Sequence, residues 1–154
     1  VLQIVLLSLN QTEIKQQLLS QTKSSLKTKM VLKDRLYKVS DISVADQQTV
    51  ASIELLKDSN VYKGHFPGRP ITPGVALVQI AVELASLASQ SAWGDMHEYN
   101  LEKASNIKFL KEINPSEMSE ITYIMAQAGK GFTKVEIRHN DTVLAKMSLK
   151  FTNA

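Results

Sequence analysis

Between positions 73 and 93 the chain is apolar on nearly every side, and this limits its folds more than any other feature. Val75, Leu77, Val78, Ile80, Ala81, Val82, Leu84, Ala85 and Leu87 leave almost no helical face free for water. A helix of that kind has to be buried. At about 1.5 Å per residue it would run ~30 Å, the diameter of a small domain. Gln79, Glu83, Ser86 and Gln90 interrupt the pattern at spacings of four, three and four, so they line up as one narrow polar stripe. Such a helix is the centre of a fold, with something wrapped around it.

The flanking segments supply the wrapping. Residues 32–44 and 48–56 read as strands before the helix, and 104–112, 120–128, 132–139 and 142–151 as four strands after it. Asn140-Asp141 is a hairpin turn signal, and Gly129-Lys130-Gly131 marks another turn. This order predicts an α+β fold, an antiparallel sheet wrapped around one long central helix. At 154 residues the chain is one domain by length. Residues 30–154 carry the pattern. Residues 1–29 read as an N-terminal extension of uncertain structure.

The apolar stretch at 1–9 is far short of the ~20 residues of a membrane span and lacks the flanks of a signal peptide. The expectation is a cytoplasmic protein with no membrane span. The net charge is +3, but Lys15, Lys23, Lys27 and Lys29 against Glu13 account for all of it. Residues 30–154 hold 14 basic and 14 acidic side chains, and the aromatics do not interleave with lysines. Nucleic acid is therefore not an expected partner. With no cysteine and three scattered histidines, neither a disulfide nor a protein-built metal site is expected. No phosphate-binding glycine pattern is present, and no cofactor is expected.

Three of the six glycines and three of the four prolines fall within Gly64-His65-Phe66-Pro67-Gly68-Arg69-Pro70-Ile71-Thr72-Pro73-Gly74-Val75. Such a stretch is a rigid, folded-back loop, because proline fixes φ and glycine permits positive φ. Thr72-Pro73 reads as the helix start, with Thr as cap and Pro at the first helical position. A histidine held in this loop, just before a helix N-terminus, is a candidate acid–base group. His97 and His139 lie beside turns and read as solvated. Ser86 has no base or nucleophile elbow near it and reads as a packing hydroxyl.

The string from His65 to Val75, with Ile107-Lys108-Phe109 and Ile113-Asn114-Pro115 after the helix, resembles the signature of the hotdog-fold β-hydroxyacyl-ACP dehydratases of the FabZ and FabA type. The resemblance covers residues 30–154. It implies loss of water from a (3R)-3-hydroxyacyl thioester, on acyl carrier protein or CoA, to give a trans-2-enoyl thioester. It also implies a homodimer, with a hexamer as a further option, and an active site at the subunit interface. His65 matches the base, and the Gly74 N–H matches the donor to the thioester carbonyl. Phe66, Pro73 and Val75 line the substrate site, and Lys63, Arg69 and Lys108 are the candidates for docking an acidic carrier protein.

One departure bears on activity. The family's acidic residue lies fourteen positions after the loop histidine, and here that residue is Gln79. The carboxylate stands one turn later, at Glu83, where many members have glutamine. Gln79 and Glu83 thus remain catalytic candidates beside His65. Three readings stay open: a dehydratase with Gln79 in place of the acid, a non-catalytic acyl-thioester-binding subunit of a mixed dimer, and a hotdog thioesterase.

Overall fold

A computed structural model of the chain describes residues 4–6, 30–63, 68–94 and 97–153. In order, the elements are β1 (Ile4–Leu6), β2 (Tyr37–Ala45), β3 (Gln48–Leu55), α1 (Asn60–Lys63), α2 (Gly74–Trp93), β4 (Tyr99–Phe109), β5 (Glu120–Gln127), β6 (Phe132–His139) and β7 (Thr142–Asn153). Among the described residues, the seven strands form one sheet in the order β1-β4-β7-β6-β5-β3-β2. Every neighbouring pair is antiparallel. The α+β architecture expected from the sequence is the one the chain adopts.

The sheet curls round α2 because each strand alternates. Ala51 and Ile53, Ile121 and Tyr123, Val135 and Ile137, and Met147 and Leu149 are buried. They join Ile80, Ala81 and Leu84 of α2 in one core. The intervening side chains face outward, which is the period-2 pattern of a half-buried strand. The Tyr123 hydroxyl is buried and donates to the Leu77 carbonyl at 2.8 Å, tying β5 to the helix. By length and composition α2 could cross a membrane, yet here it is the buried core of the sheet.

Turn chemistry sets the register. Asp46 and Gln47, between β2 and β3, have φ of 51° and 63°. Positive φ at both central residues is what a type I′ hairpin requires. Asn140, between β6 and β7, has φ 54°. The helix ends at Gly94, φ 83°, whose N–H donates to the Gln90 carbonyl at 2.9 Å.

Several boundaries differ from expectation. Residues 32–36 form a turn rather than the start of β2: the Leu32 and Lys33 N–H groups go to a side chain of α2 (below), and those of Asp34, Arg35 and Leu36 close local bonds to the Tyr37 and Leu32 carbonyls. Strand β4 begins at Tyr99, where the backbone N–H donates to Ser86 Oγ at 3.2 Å. The helix begins at Gly74, with Pro73 as N-cap and no side-chain cap. Thr72 does not cap, because its hydroxyl and its N–H both donate to the Ile113 carbonyl, at 3.0 and 2.8 Å. α1 lies where no element was expected. β1 falls within the segment read as an extension and pairs with the end of β4, Ile4 opposite Phe109 and Leu6 opposite Ile107.

A Cβ added at Gly94 would meet nothing within 4 Å, so its substitution tests the left-handed backbone alone. Gly94→Ala is expected to cost about 1 kcal/mol. A lower midpoint in urea with an unchanged slope is the expected signature.

Candidate active site

The start of α2 is clamped from β4 and the residues after it. A Cβ on Gly74 would lie 2.4 Å from Phe109 Cζ, so the Phe109 ring occupies the place of a side chain. Only glycine permits that approach. Tyr62 donates to Thr72 Oγ1 at 2.9 Å, since the Thr72 hydroxyl is itself spent on Ile113. Burial pushes the Tyr62 hydroxyl up to about 12, against the pull of the Thr72 hydrogen bond. Pro73 accepts from Ala76 and Leu77. The N–H groups of Gly74 and Val75 belong to the first turn, which has no intrahelical acceptor for them. They give this end of the helix partial positive charge, suited to a developing oxyanion.

One turn in, the polar stripe becomes a sealed cluster. Gln79, Glu83 and Tyr37 are each 0% exposed. Glu83 Oε2 accepts from the Leu32 N–H at 3.1 Å and from Gln79 Nε2 at 2.9 Å. Its Oε1 accepts from the Lys33 N–H and the Tyr37 hydroxyl, both at 2.9 Å. Four donors meet one carboxylate. Burial pushes the Glu83 carboxyl up, and the four hydrogen bonds hold it back only in part. Burial, then the Glu83 charge, drives the Tyr37 hydroxyl far above the usual phenol range.

Gly74 and Gln79 do not converge within one chain. Five helical positions place them about 140° apart around the axis and ~7.5 Å apart along it. Gly74 faces Phe109 of β4, whereas Gln79 and Glu83 face the turn before β2. His65 and Phe66 lie outside the described residues. Pro73 and Val75 are buried beside Gly74. Lys63 is exposed at the end of α1, and Lys108 is exposed on β4 directly opposite Lys146. Arg69 is ion-paired with Glu112. Tyr37 escapes the sequence reading, which singles out Thr72 and Phe109 as a helix cap and as part of a strand motif rather than for these contacts, since nothing local marks a partner tens of residues away.

The two buried serines of α2, Ser86 and Ser89, are used structurally. Ser86 Oγ donates to the Val82 carbonyl, and Ser89 Oγ accepts from the His97 N–H. His97 is exposed and its ring meets Trp93 edge-on at 5.0 Å. His139 is half-buried, with Nδ1 3.0 Å from the Glu120 carbonyl. An apolar groove of about 450 Å³, lined in part by Val44, Ala88, Trp93 and Phe151, opens at the far end of the helix; neither Gly74 nor Gln79 lines it.

Glu83→Ala would strand two backbone donors and a phenol in the interior, with an expected cost of about 3 kcal/mol or more. The raised carboxyl also fixes the sign of a pH effect. The folded chain holds this proton more tightly than the unfolded chain, so the Glu83 contribution to stability falls as pH rises from 4.5 through its raised folded value. Glu83→Gln does not titrate and should lack that slope. Urea unfolding of both chains across this range is the check.

A family model described as ApeI-like, ApeI dehydratase, matches residues 41–148. The 3-hydroxyacyl-[acyl-carrier-protein] dehydratase FabZ of Enterococcus faecalis is 24% identical over 115 residues, covering 70% of this chain and 79% of its own. That of Legionella pneumophila is 29% identical over 111 residues, covering 68% and 70%. Among solved structures, the dehydratase heterocomplex ApeI:P from Xenorhabdus doucetiae is similar with a TM-score of 0.58 at 16% identity, over 74% of this chain and 96% of that one. A conserved protein from Pseudomonas aeruginosa is similar with a TM-score of 0.54 at 15% identity, over 84% and 100%. The fold is that of the hotdog proteins. With the family model matching well over half its length, the chain belongs to the ApeI-like dehydratases.

Proposed function

We propose that the chain is a dehydratase of (3R)-3-hydroxyacyl thioesters, presented on acyl carrier protein or CoA, in which His65 does the acid–base work and α2 supplies no acid. The observation that carries this reading is the hydrogen bond from Gln79 Nε2 to Glu83 Oε2. An amide is not an acid. The Glu83 carboxylate is committed to four donors, and a proton on it would displace one of them.

In this reading the His65 imidazole takes the proton from C2 of the acyl group. The Gly74 N–H holds the thioester oxygen as negative charge builds on it. The C3–O bond then breaks, and the departing hydroxide takes the proton back from His65 to leave as water. Gln79 positions the hydroxyl rather than protonating it, and Glu83 holds Gln79. Because Gly74 and Gln79 lie on different sides of α2, the site is completed by a second subunit, whose helix faces the His65 loop. Lys63, Arg69 and Lys108 are the carrier-docking candidates.

A second reading follows from the same geometry. If the second subunit is a different chain with a carboxylic acid at the matching helical position, His65 meets a full acid and the mixed dimer has one strong site. The Xenorhabdus relative of similar fold is itself a heterocomplex.

Intact-mass spectrometry of a 3-hydroxyacyl carrier protein incubated with the purified chain tests the proposal. Loss of water is expected, and His65→Ala should slow it by about 10²-fold or more. Gln79→Glu should raise the rate by roughly tenfold or more. Release of free acid would move the reading to a thioesterase. An unchanged acyl group across several chain lengths, from a folded dimer, would move it to a silent subunit.

A further inference from the structure

We infer that the outward face of β4, β7 and β6 is the docking surface for the acidic carrier protein; this rests on the proposed function and locates its partner. The face carries Lys103, Lys108, Lys134, Arg138, Lys146 and Lys150, and against these Glu102 and Glu136, a net +4. Residues 30–154 sum to zero, so the rest of the domain is net −4. The charge is concentrated, not scattered.

The register makes the concentration costly. Lys103 lies directly opposite Lys150, and Lys108 directly opposite Lys146. Like charges paired across a sheet destabilise it. Glu136 offsets part of this, with Lys146 Nζ at 3.9 Å, but it also pairs with Arg138. Glu102 lies 3.5 Å from Lys150. An acidic protein surface would relieve what remains.

Two features favour a protein over a polyanion. The carboxylates of Glu102 and Glu136 sit among the lysines and would repel an unbroken run of phosphates. Beside Glu136 opens a cleft of about 460 Å³ with Ile124 and Ala126 next to Lys108, Lys134 and Lys146. Asn106, at φ 51° in the β4 bulge, borders it. An apolar side chain on an acidic protein surface has somewhere to go; a phosphate backbone does not.

The face begins next to the site. Lys108 precedes Phe109, whose ring lies on Gly74. Of the three docking candidates, Lys108 belongs to this field, whereas the Arg69 charge is already met by Glu112.

The test measures binding of an unacylated holo-acyl carrier protein to the full chain by calorimetry at low and high salt. Affinity should fall with salt. Lys134→Glu with Lys146→Glu should weaken binding by about tenfold or more and flatten the salt dependence, while Lys57→Glu, on an exposed turn outside the face, changes it little. If the double variant does not fold, Lys103→Glu, which places a carboxylate opposite Lys150, replaces it with the same expectation. Wild-type affinity in the face variants, or an equal loss from Lys57→Glu, overturns the assignment. A wild-type chain that dehydrates a 3-hydroxyacyl pantetheine thioester but binds no carrier overturns the dock and leaves the reaction standing. A chain that does neither removes both.

Discussion

The carboxylate of Glu83 is the point on which the fold and the candidate site both hang. A charge with no access to water is tolerated only when hydrogen bonds replace its hydration. Here the replacements come from three places: the preceding turn of α2 through Gln79, the first residue of β2 through Tyr37, and the backbone of the turn just before β2, at Leu32 and Lys33. The same four bonds join α2 to the edge of the sheet and immobilise the amide that occupies the family's acid position. Structure and chemistry therefore share one group, and no change at position 83 touches only one of them.

The N-terminus of α2 is fixed by a different device. Where Glu83 uses charge, Gly74 uses the absence of a side chain. The Phe109 ring fills the space, Thr72 is pinned to Ile113, and Arg69 reaches Glu112, so residues 109–113 act as a brace across the helix start. The two devices grip opposite sides of the helix. That separation explains why one chain alone presents a helix N-terminus and a polar cluster that do not face each other.

Much of this was legible in the sequence. The burial of α2 followed from its unbroken apolar surface, and the four later strands from alternation and turn residues. What the sequence hid depends on distance along the chain. Glu83 and its partners at 32, 33 and 37 are some fifty residues apart, and nothing in either segment names the other. Residues 32–36 read as strand because Leu32 and Leu36 are real core residues, but the backbone goes to the Glu83 side chain and to local turn bonds instead of a ladder. Thr72 looked like a cap because its type suits one; a carbonyl 41 residues on offered a better acceptor. The basic sheet face was hidden by arithmetic, since charges that cancel over 125 residues need not cancel over three strands.

The Gln79–Glu83 contact also bears on how such a site could regain an acid. A glutamate at position 79 would sit one helical turn from Glu83, in hydrogen-bonding range of it and sealed from water. Two carboxyls in that setting cannot both ionise and would hold one proton between them. The new acid would hold its proton more tightly than an ordinary carboxyl, and the anchor would lose part of the charge that its four donors require. Gain of chemistry and loss of rigidity would thus arrive in one substitution, unless position 83 changed with it. The glutamine-then-glutamate order of this helix is a coupled pair, and each member limits what its neighbour can become.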